Sequence, residues 1–130
     1  MKTKILLDFV DAINCANVDR MADLMADDPV FVDSRDNRTT GKENMKQAWK
    51  GYFNLFPDYK IEITGMLQKK SLFYLVGYAG GTYMNMINEN NTNYWRIPTA
   101  WTAIIKKNKV QYWQVYADNG VVVEIVNRNK

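Results

Sequence analysis

The stretch from Thr40 to Thr64, TGKENMKQAWKGYFNLFPDYKIEIT, decides the fold because the spacing of its apolar residues changes within it. Its first part places apolar residues three or four positions apart, which predicts an amphipathic helix that Pro57 ends. Thr40 and Glu43 match a capping box, so the helix is expected to begin there. After Asp58, apolar and polar residues alternate, as is typical of a half-buried strand. The chain is therefore predicted to turn from helix to sheet at the proline.

Two further helices are predicted ahead of this stretch. Apolar residues at helical spacing favour a first helix over about residues 3–15. Asn17 offers an N-cap for a shorter second helix, which Asp27-Asp28-Pro29 is expected to end. A short strand over residues 30–33 and a loop over residues 34–39 then lead to the capped helix.

The part of the chain after residue 58 is predicted to be mostly sheet. Residues 72–86 are long enough for one bending strand, in which Gly77, Gly80 and Gly81 permit a bulge or a sharp coil. Residues 94–106 and 110–117 form a hairpin after an asparagine-rich loop. The terminal residues 118–126 favour a strand by propensity, because many of them are β-branched.

Length and composition limit the class of protein. With 130 residues, 47% of them apolar and 24% charged, we expect one domain spanning residues 1–130. No apolar run approaches the roughly 20 residues that cross a bilayer, so membrane association is not expected. The one cysteine, Cys15, excludes an internal disulfide and favours a reducing compartment, with the cytoplasm as the expected location. The basic residues form no dense, aromatic-flanked stripe, so nucleic-acid binding is not expected either.

The chain contains no histidine. It therefore cannot form a Ser-His-Asp or Cys-His catalytic pair, nor a histidine-based metal site. Any acid or base must be an aspartate, glutamate, tyrosine, lysine or cysteine. We predict neither a metal site nor a cofactor.

The order of predicted elements resembles the nuclear transport factor 2-like superfamily, and within it the SnoaL-like polyketide cyclases and the ketosteroid isomerases. The likeness spans nearly the whole chain and rests on residues 21–33 (MADLMADDPVFVD), 41–44 (GKEN), 109–113 (KVQYW) and 115–118 (VYAD). It implies an α+β fold in which a cone-shaped, curved antiparallel sheet packs against N-terminal helices and encloses an apolar pocket. It also implies that the terminal segment forms a short helix, and we adopt that expectation against the propensity of its residues.

Asp33 is the candidate general base, because the resemblance places it where the base of ketosteroid isomerases falls. The same resemblance implies two donors to the enolate oxygen, a tyrosine on the first helix and an acid in the sheet. Phe9 stands at the position of the tyrosine, and residues 94–106 contain no carboxyl group. Steroid isomerase activity is therefore not expected.

Other roles remain open for the candidate catalytic residues. Tyr116 is a candidate donor from another wall of the pocket, as are Tyr52 and Tyr83. Asp118 either points into the pocket or caps the terminal helix. The side chain of Asp33 is alternatively expected to cap the loop behind it, or to pair with an arginine, for which the candidates are Arg35, Arg38 and Arg96.

Aromatic residues make up 13% of the chain and supply candidates for the pocket wall. We expect ligand contacts from Phe9, Trp49, Phe53, Trp101 and Trp113. Trp49 and Phe53 fit the core side of an amphipathic helix equally well. Trp101 and Trp113 fit a dimer interface equally well.

Three functions follow from these observations. The first is a module that binds an unidentified small apolar or aromatic ligand, which the missing donors favour. The second is a cofactor-independent isomerase, cyclase or hydratase that uses Asp33 as its base. The third is a dimerisation module, and a homodimer is expected because aromatic strands would otherwise expose an apolar face.

Overall fold

The computed structural model describes residues 1–130 and contains four α-helices and a six-stranded sheet. The helices are α1 (Lys2–Asn14), α2 (Val18–Leu24), α3 (Lys42–Leu55) and α4 (Gly120–Arg128). The strands are β1 (Met25–Val32), β2 (Arg38–Thr40), β3 (Lys60–Lys69), β4 (Leu72–Thr82), β5 (Tyr94–Lys106) and β6 (Lys109–Tyr116). None of the helices combines the length and apolar character needed to cross a membrane.

The strands lie in the order β2-β1-β6-β5-β4-β3. Every neighbouring pair is antiparallel except β1 and β6, which run parallel. Helix α1 contacts β3, β5 and β6, and α3 contacts β1 and β2. The predicted α+β class, with a curved sheet packed against helices, is confirmed.

A close approach between β3 and β4 accompanies an irregularity in their pairing. The register shifts between Ile63 and Gly65, opposite Gly77. A Cβ atom added to Gly77 would lie 1.8 Å from the carbonyl oxygen of Glu62, so no other residue fits there without moving the backbone. The extra residue is Thr64 of β3, so the bulge predicted within residues 72–86 forms instead in the strand that faces Gly77.

The start of α3 differs from the prediction. Gly41, with a φ of 87°, occupies the N-cap, and no side chain caps the helix. Thr40 pairs with Val30 in the sheet, so the capping box predicted from Thr40 and Glu43 is wrong. Asn44 instead donates its side-chain amide to the Thr40 carbonyl oxygen at 3.0 Å. The physical reason is that strand pairing takes this threonine away from the helix end.

The second helix also ends earlier than predicted. It stops at Leu24, and Asp27-Asp28-Pro29 lies inside β1, not after a helix. Residues 38–40, predicted as loop, form β2. Both differences arise because β1 has a hydrogen-bonded neighbour on each side, and such pairing outweighs local propensity. The predicted cap of α2 is confirmed, since the Arg20 backbone N–H donates to Asn17 Oδ1 at 3.1 Å.

Strand β4 ends earlier than predicted, and the terminal segment is not a strand. The strand predicted to reach residue 86 stops at Thr82, because Met84 and Asn85 adopt left-handed φ values of 43° and 59°. The terminal segment is helical, as the resemblance implied, although its residues favour a strand. Its Val122 and Ile125 are buried against the core, so packing decides its conformation.

We expect Gly77→Ala to lower the free energy of unfolding by about 3 kcal/mol or more, because its methyl group would meet the backbone of β3. Gly51→Ala is the matched control, since Gly51 lies in α3 with no atom within 4 Å of the added Cβ. That variant should gain roughly 0.5–1 kcal/mol from the better helix propensity of alanine. Urea unfolding measures both variants, and a similar effect for the two would contradict the importance of this close approach.

Candidate functional site

A cavity of about 300 Å³ lies between α3 and the inner face of the sheet. Twelve of its 17 lining residues are hydrophobic, so its walls are mainly apolar. The polar lining residues are Asp33, Ser34, Arg35, Thr99 and Asn119. The aromatic lining residues are Phe31, Trp49, Tyr52, Tyr59, Trp95, Trp101 and Trp113. All four tryptophans of the chain therefore face this space.

Strand β5 supplies one wall of the cavity through its alternation. Trp95, Ile97, Thr99 and Trp101 are successive odd-numbered positions, all of them buried and all lining the cavity. Alternate residues of a strand project from the same face, so one strand sets four lining positions in a row. The only hydroxyl among them, that of Thr99, donates to the Ile97 carbonyl oxygen at 3.0 Å. This wall therefore carries no free hydroxyl and no acid, and its one unpartnered donor is the indole N–H of Trp95.

A second wall is built from aromatic rings on α3, from the residue just before β3, and from Trp95 of β5. The Tyr59 ring packs perpendicular to Tyr52, with centroids 4.9 Å apart. The same ring lies 6.4 Å from Trp49 and 6.1 Å from Trp95. Tyr59 is thus the centre of an aromatic wall, which we define as Trp49, Tyr52, Tyr59 and Trp95. Rigid rings with few torsions give such a wall a fixed shape.

Four of the residues predicted for the site line the cavity. They are Asp33, Trp49, Trp101 and Trp113. Trp101 and Trp113 are each 1% exposed, so neither is available at the surface for a dimer partner. The structure brings these three tryptophans and the carboxylate to one space.

The other four predicted residues lie outside the cavity lining. Phe9 packs behind Trp113, with ring centroids 5.2 Å apart, and Phe53 packs against Trp49 at 5.4 Å. Tyr116 is exposed, and its hydroxyl shares a hydrogen bond of 3.1 Å with Thr102. Asp118 is also exposed, and it accepts the backbone N–H of Gly120 at 2.9 Å. Asp118 therefore lies beside the start of α4, for which Asn119 is the N-cap.

The carboxylate of Asp33 holds the loop that follows β1. Its Oδ1 accepts the backbone N–H groups of Arg35 and Asn37, both at 2.9 Å. Its Oδ2 accepts the side-chain amide of Asn37 at 3.2 Å. No arginine pairs with it, and Arg96 pairs with Glu62 at 3.1 Å. Asp33 therefore caps its own loop at the edge of the cavity, which is one of the roles considered from the sequence.

Tyr59 and Trp95 are lining residues that the sequence reasoning did not select. The alternation of Tyr59 with Ile61 was visible, but it does not tell which face of a strand looks into a cavity and which into solid core. Trp95 shares its strand face with Trp101, which was selected. The register along β5 was therefore the signal that could have found it.

Several polar atoms of the aromatic wall lack partners. The indole nitrogens of Trp49 and Trp95 are buried and form no hydrogen bond. Burial raises the pKa of the Tyr52 hydroxyl above its usual value of 10. Burial raises the pKa of Tyr59 as well, and the neighbouring Tyr52 adds to that rise. Both tyrosines therefore stay protonated and neutral at physiological pH, as hydrogen-bond donors.

A curved sheet that packs with helices around a cavity of this kind defines the nuclear transport factor 2-like, or ketosteroid isomerase-like, architecture. The chain belongs to the SnoaL-like domain family, whose model matches residues 6–113. No curated protein matches the sequence.

Solved structures share the fold at low sequence identity. A protein from Catenulispora acidiphila, described with a ketosteroid isomerase-like fold in complex with trimethylamine, has a TM-score of 0.80 and 16% identity, covering 95% of this chain and 92% of its own. A protein from Jannaschia assigned as a SnoaL-like polyketide cyclase has a TM-score of 0.81 and 11% identity, with coverage of 96% and 90%. The epoxide hydrolase/cyclase-like enzyme SalBIII, of pyran ring formation in salinomycin, has a TM-score of 0.76 and 12% identity, covering 90% of each chain. Such identities establish the fold alone.

The raised pKa values of Tyr52 and Tyr59 lead to a pH prediction. Above pH 10 the unfolded chain loses these two protons while the folded chain keeps them, so the contribution of the two tyrosines to folding stability is constant below pH 10 and falls above it. We expect urea unfolding to show a loss of about 1.4 kcal/mol per pH unit for each tyrosine. Tyr59→Phe should remove its share of this slope. The exposed Tyr94 gives the control variant Tyr94→Phe, and an equal change of slope in both would contradict the assignment.

Proposed function

We propose that the protein binds a small, mainly apolar molecule in the cavity between α3 and the sheet. The observation that carries the proposal is the cavity of about 300 Å³ with seven aromatic residues on its walls. This volume lies at the lower end of the range for ligand pockets, which suits a molecule of one or two rings. The Catenulispora protein, which has the same fold, was solved with a small molecule, and this supports the proposal.

The arrangement of polar groups favours binding over proton transfer. A general base needs free lone pairs directed at the substrate, and three donors of its own loop already occupy most of the acceptor sites of the Asp33 carboxylate. Phe9 has no hydroxyl and lies outside the cavity lining. The inward positions of β5 carry no acid. The donors that the resemblance implied for steroid isomerisation are therefore missing from both expected places.

Closing the mouth of the cavity tests the proposal. Ala48 is an exposed lining residue of α3, so Ala48→Trp should block access while keeping the helix. Gln47→Trp is the matched control, because Gln47 is exposed on the same helix and does not line the cavity. We expect native mass spectrometry of freshly purified protein to show a retained ligand with the control and none with Ala48→Trp. Calorimetry should show that binding of added indane is lost in the same variant, and equal binding of indane by both variants would reject the proposal.

An enzyme that uses Asp33 as base is the second candidate, because this carboxylate does line the cavity. Asp33→Asn distinguishes the two functions, since an amide oxygen can still accept both backbone N–H groups of the loop. We expect indane binding to stay within about twofold of the parent protein, since the aromatic walls are unchanged. For any substrate found to turn over, a rate lower by about 10² to 10⁴ in this variant would establish the catalytic role instead.

The outer face of the sheet supports a further proposal, a homodimer. The register aligns Leu67, Tyr74 and Thr102 in one row across three strands, and Val76, Ala100 and Tyr116 in the next. Leu67 is 74% exposed and Val76 is 53% exposed. A contiguous apolar face of this kind marks a protein interaction surface, and a second copy of the chain presents the same face.

Val76→Lys should break this dimer, because it places a charge in the middle of the apolar face. Val121→Lys is the control, since Val121 is 50% exposed on α4, away from the sheet. We expect sedimentation at micromolar concentration to show a dimer for the parent and the control and a monomer for Val76→Lys. A monomeric parent would overturn the proposal.

A further inference from the structure

We infer that the ligand of the cavity is an amphipathic anion, whose apolar body lies among the aromatic rings and whose carboxylate pairs with Arg35 at the mouth. The inference rests on the proposed ligand binding and adds the chemical class of the ligand. It starts from the way in which charge and exposure are distributed along the cavity lining.

The cavity has a buried apolar end and an exposed polar end. Arg35 and Ala48 are the only exposed residues among the 17 that line it, so they mark its mouth. The four tryptophans on its walls are all buried. A ligand that fills this space therefore places one end among the rings and the other end beside Arg35. A charged group can stay at the wet end, where it keeps much of its hydration.

The guanidinium of Arg35 has no partner within the protein. It forms no ion pair, and the one hydrogen bond that Arg35 donates outside regular structure comes from its backbone N–H and goes to Asp33. Arg20 and Arg96, by contrast, pair with acids at 2.6 and 3.1 Å. The Arg35 guanidinium can therefore offer two parallel N–H donors to a carboxylate, a geometry that lysine cannot supply.

The loop after β1 holds the backbone of Arg35 at the mouth. The Asp33 backbone N–H donates to the Asn37 carbonyl oxygen at 3.0 Å, which closes the loop. The Asp33 carboxylate accepts the backbone N–H groups of Arg35 and Asn37. Asn119 donates its side-chain amide to the Ser34 hydroxyl, which ties the loop to the start of α4. The protein thus positions Arg35 without help from a ligand.

The acids near the mouth do not compensate this cation. Asp33 and Arg35 are the only charged lining residues. Three donors of its own loop occupy most of the acceptor sites of the Asp33 carboxylate and stabilise its charge in place. Asp36 and Asp118 are exposed and do not line the cavity, so water and salt screen their charges. The uncompensated charge of the lining is therefore positive, and it favours an anion.

A matched pair of ligands tests the inference. Indane-5-carboxylate and indane-5-carboxamide share one flat skeleton and differ in charge. We expect calorimetry of the parent protein to show tighter binding of the carboxylate by about fivefold, as one partly exposed ion pair provides. Arg35→Gln should remove this preference and leave the affinity for the carboxamide within about twofold, because the apolar walls are unchanged. Added salt should weaken the preference as well.

Arg38→Gln is the matched control. Arg38 is also exposed and without an ion pair, but it lies on β2 and does not line the cavity. Its loss should leave the preference for the carboxylate unchanged. Arg35→Lys should keep only part of the preference, because lysine retains the charge and loses the paired donors.

The variant Ala48→Trp tests whether the carboxylate is bound inside the cavity. Because Ala48 marks the mouth beside Arg35, the larger side chain should abolish binding of indane-5-carboxylate. Carboxylate binding that survives in this variant would place the contact on the outer surface and overturn the inference.

The side-chain Nε–H resonance of Arg35 gives a readout that does not depend on affinity. Its absence from the spectrum of Arg35→Gln identifies it. We expect saturating indane-5-carboxylate to move this resonance in the direction of a hydrogen bond to a charged acceptor, and saturating indane-5-carboxamide to move it much less. Equal shifts with the two compounds would contradict the pairing.

The outcomes separate the two proposals. Equal affinity for the carboxylate and the carboxamide, or a preference that Arg35→Gln leaves intact, would overturn the inference and leave ligand binding in place. Binding of none of the indane compounds by the parent protein would overturn both. Tighter binding of 5-aminomethylindane, which is a cation at neutral pH, than of the carboxylate would overturn the inference in favour of a cation that contacts Asp33 or the ring faces.

Discussion

The backbones of β3 and β4 meet at Gly77 more closely than any side chain allows. This contact coincides with the bulge opposite it, and bulges bend and twist the strands that contain them. A flat sheet would let α3 lie directly on its surface and leave no space. Because the sheet curves, the inward residues of β4, β5 and β6 converge on a hollow that α3 covers. Gly77 therefore permits the close strand approach that accompanies this bulge.

The hollow persists because the side chains around it are large and stiff. Aromatic rings pack edge to face along the wall that includes Tyr52 and Tyr59, and such rings cannot deform to fill the remaining volume. The same wall leaves two buried indole N–H groups without partners, which a chain selected for stability alone would avoid. Departures of this kind from good packing are expected where a protein functions. The aromatic wall therefore contains the buried donors that lack partners, and these donors point to a functional site.

Helices and strands whose ends are fixed by neighbouring residues in the sequence could be predicted. Those whose ends depend on contacts with distant parts of the chain could not. The change of period at Pro57 and the cap at Asn17 are local signals, and both gave the right structure. Thr40 matched an equally good local pattern for a helix cap. In the structure it lies in β2 and pairs with Val30 of β1, a contact that the local pattern does not reveal. The terminal helix was predicted only from the resemblance. Its β-branched residues favour a strand, and they give no sign that the segment packs against the core as a helix.

The residues of the candidate site also differ in how well the sequence predicts them. Trp101 and Trp113 were predicted as ligand contacts because they are aromatic residues on strands of the predicted hairpin, and both line the cavity. Phe9 and Phe53 are also aromatic residues on an apolar face, but they pack behind the lining residues Trp113 and Trp49 and do not line the cavity themselves. Periodicity identifies the buried face of an element and does not tell an empty interior from a filled one. That difference depends on sheet curvature, which appears only when all six strands are assembled.

The parallel pairing of β1 with β6 has a consequence for biosynthesis. Phe31 of β1 is paired with Trp113 of β6, so the ribosome must complete most of the chain before this contact can form. Until then β1 has only the three-residue β2 beside it, and the N-terminal helices cannot enclose anything. Contacts between residues so distant in the chain form slowly. Apolar strands therefore stay exposed for longer, and during that time they can bind chaperones or aggregate. The cavity can therefore form only after translation has passed the last strand.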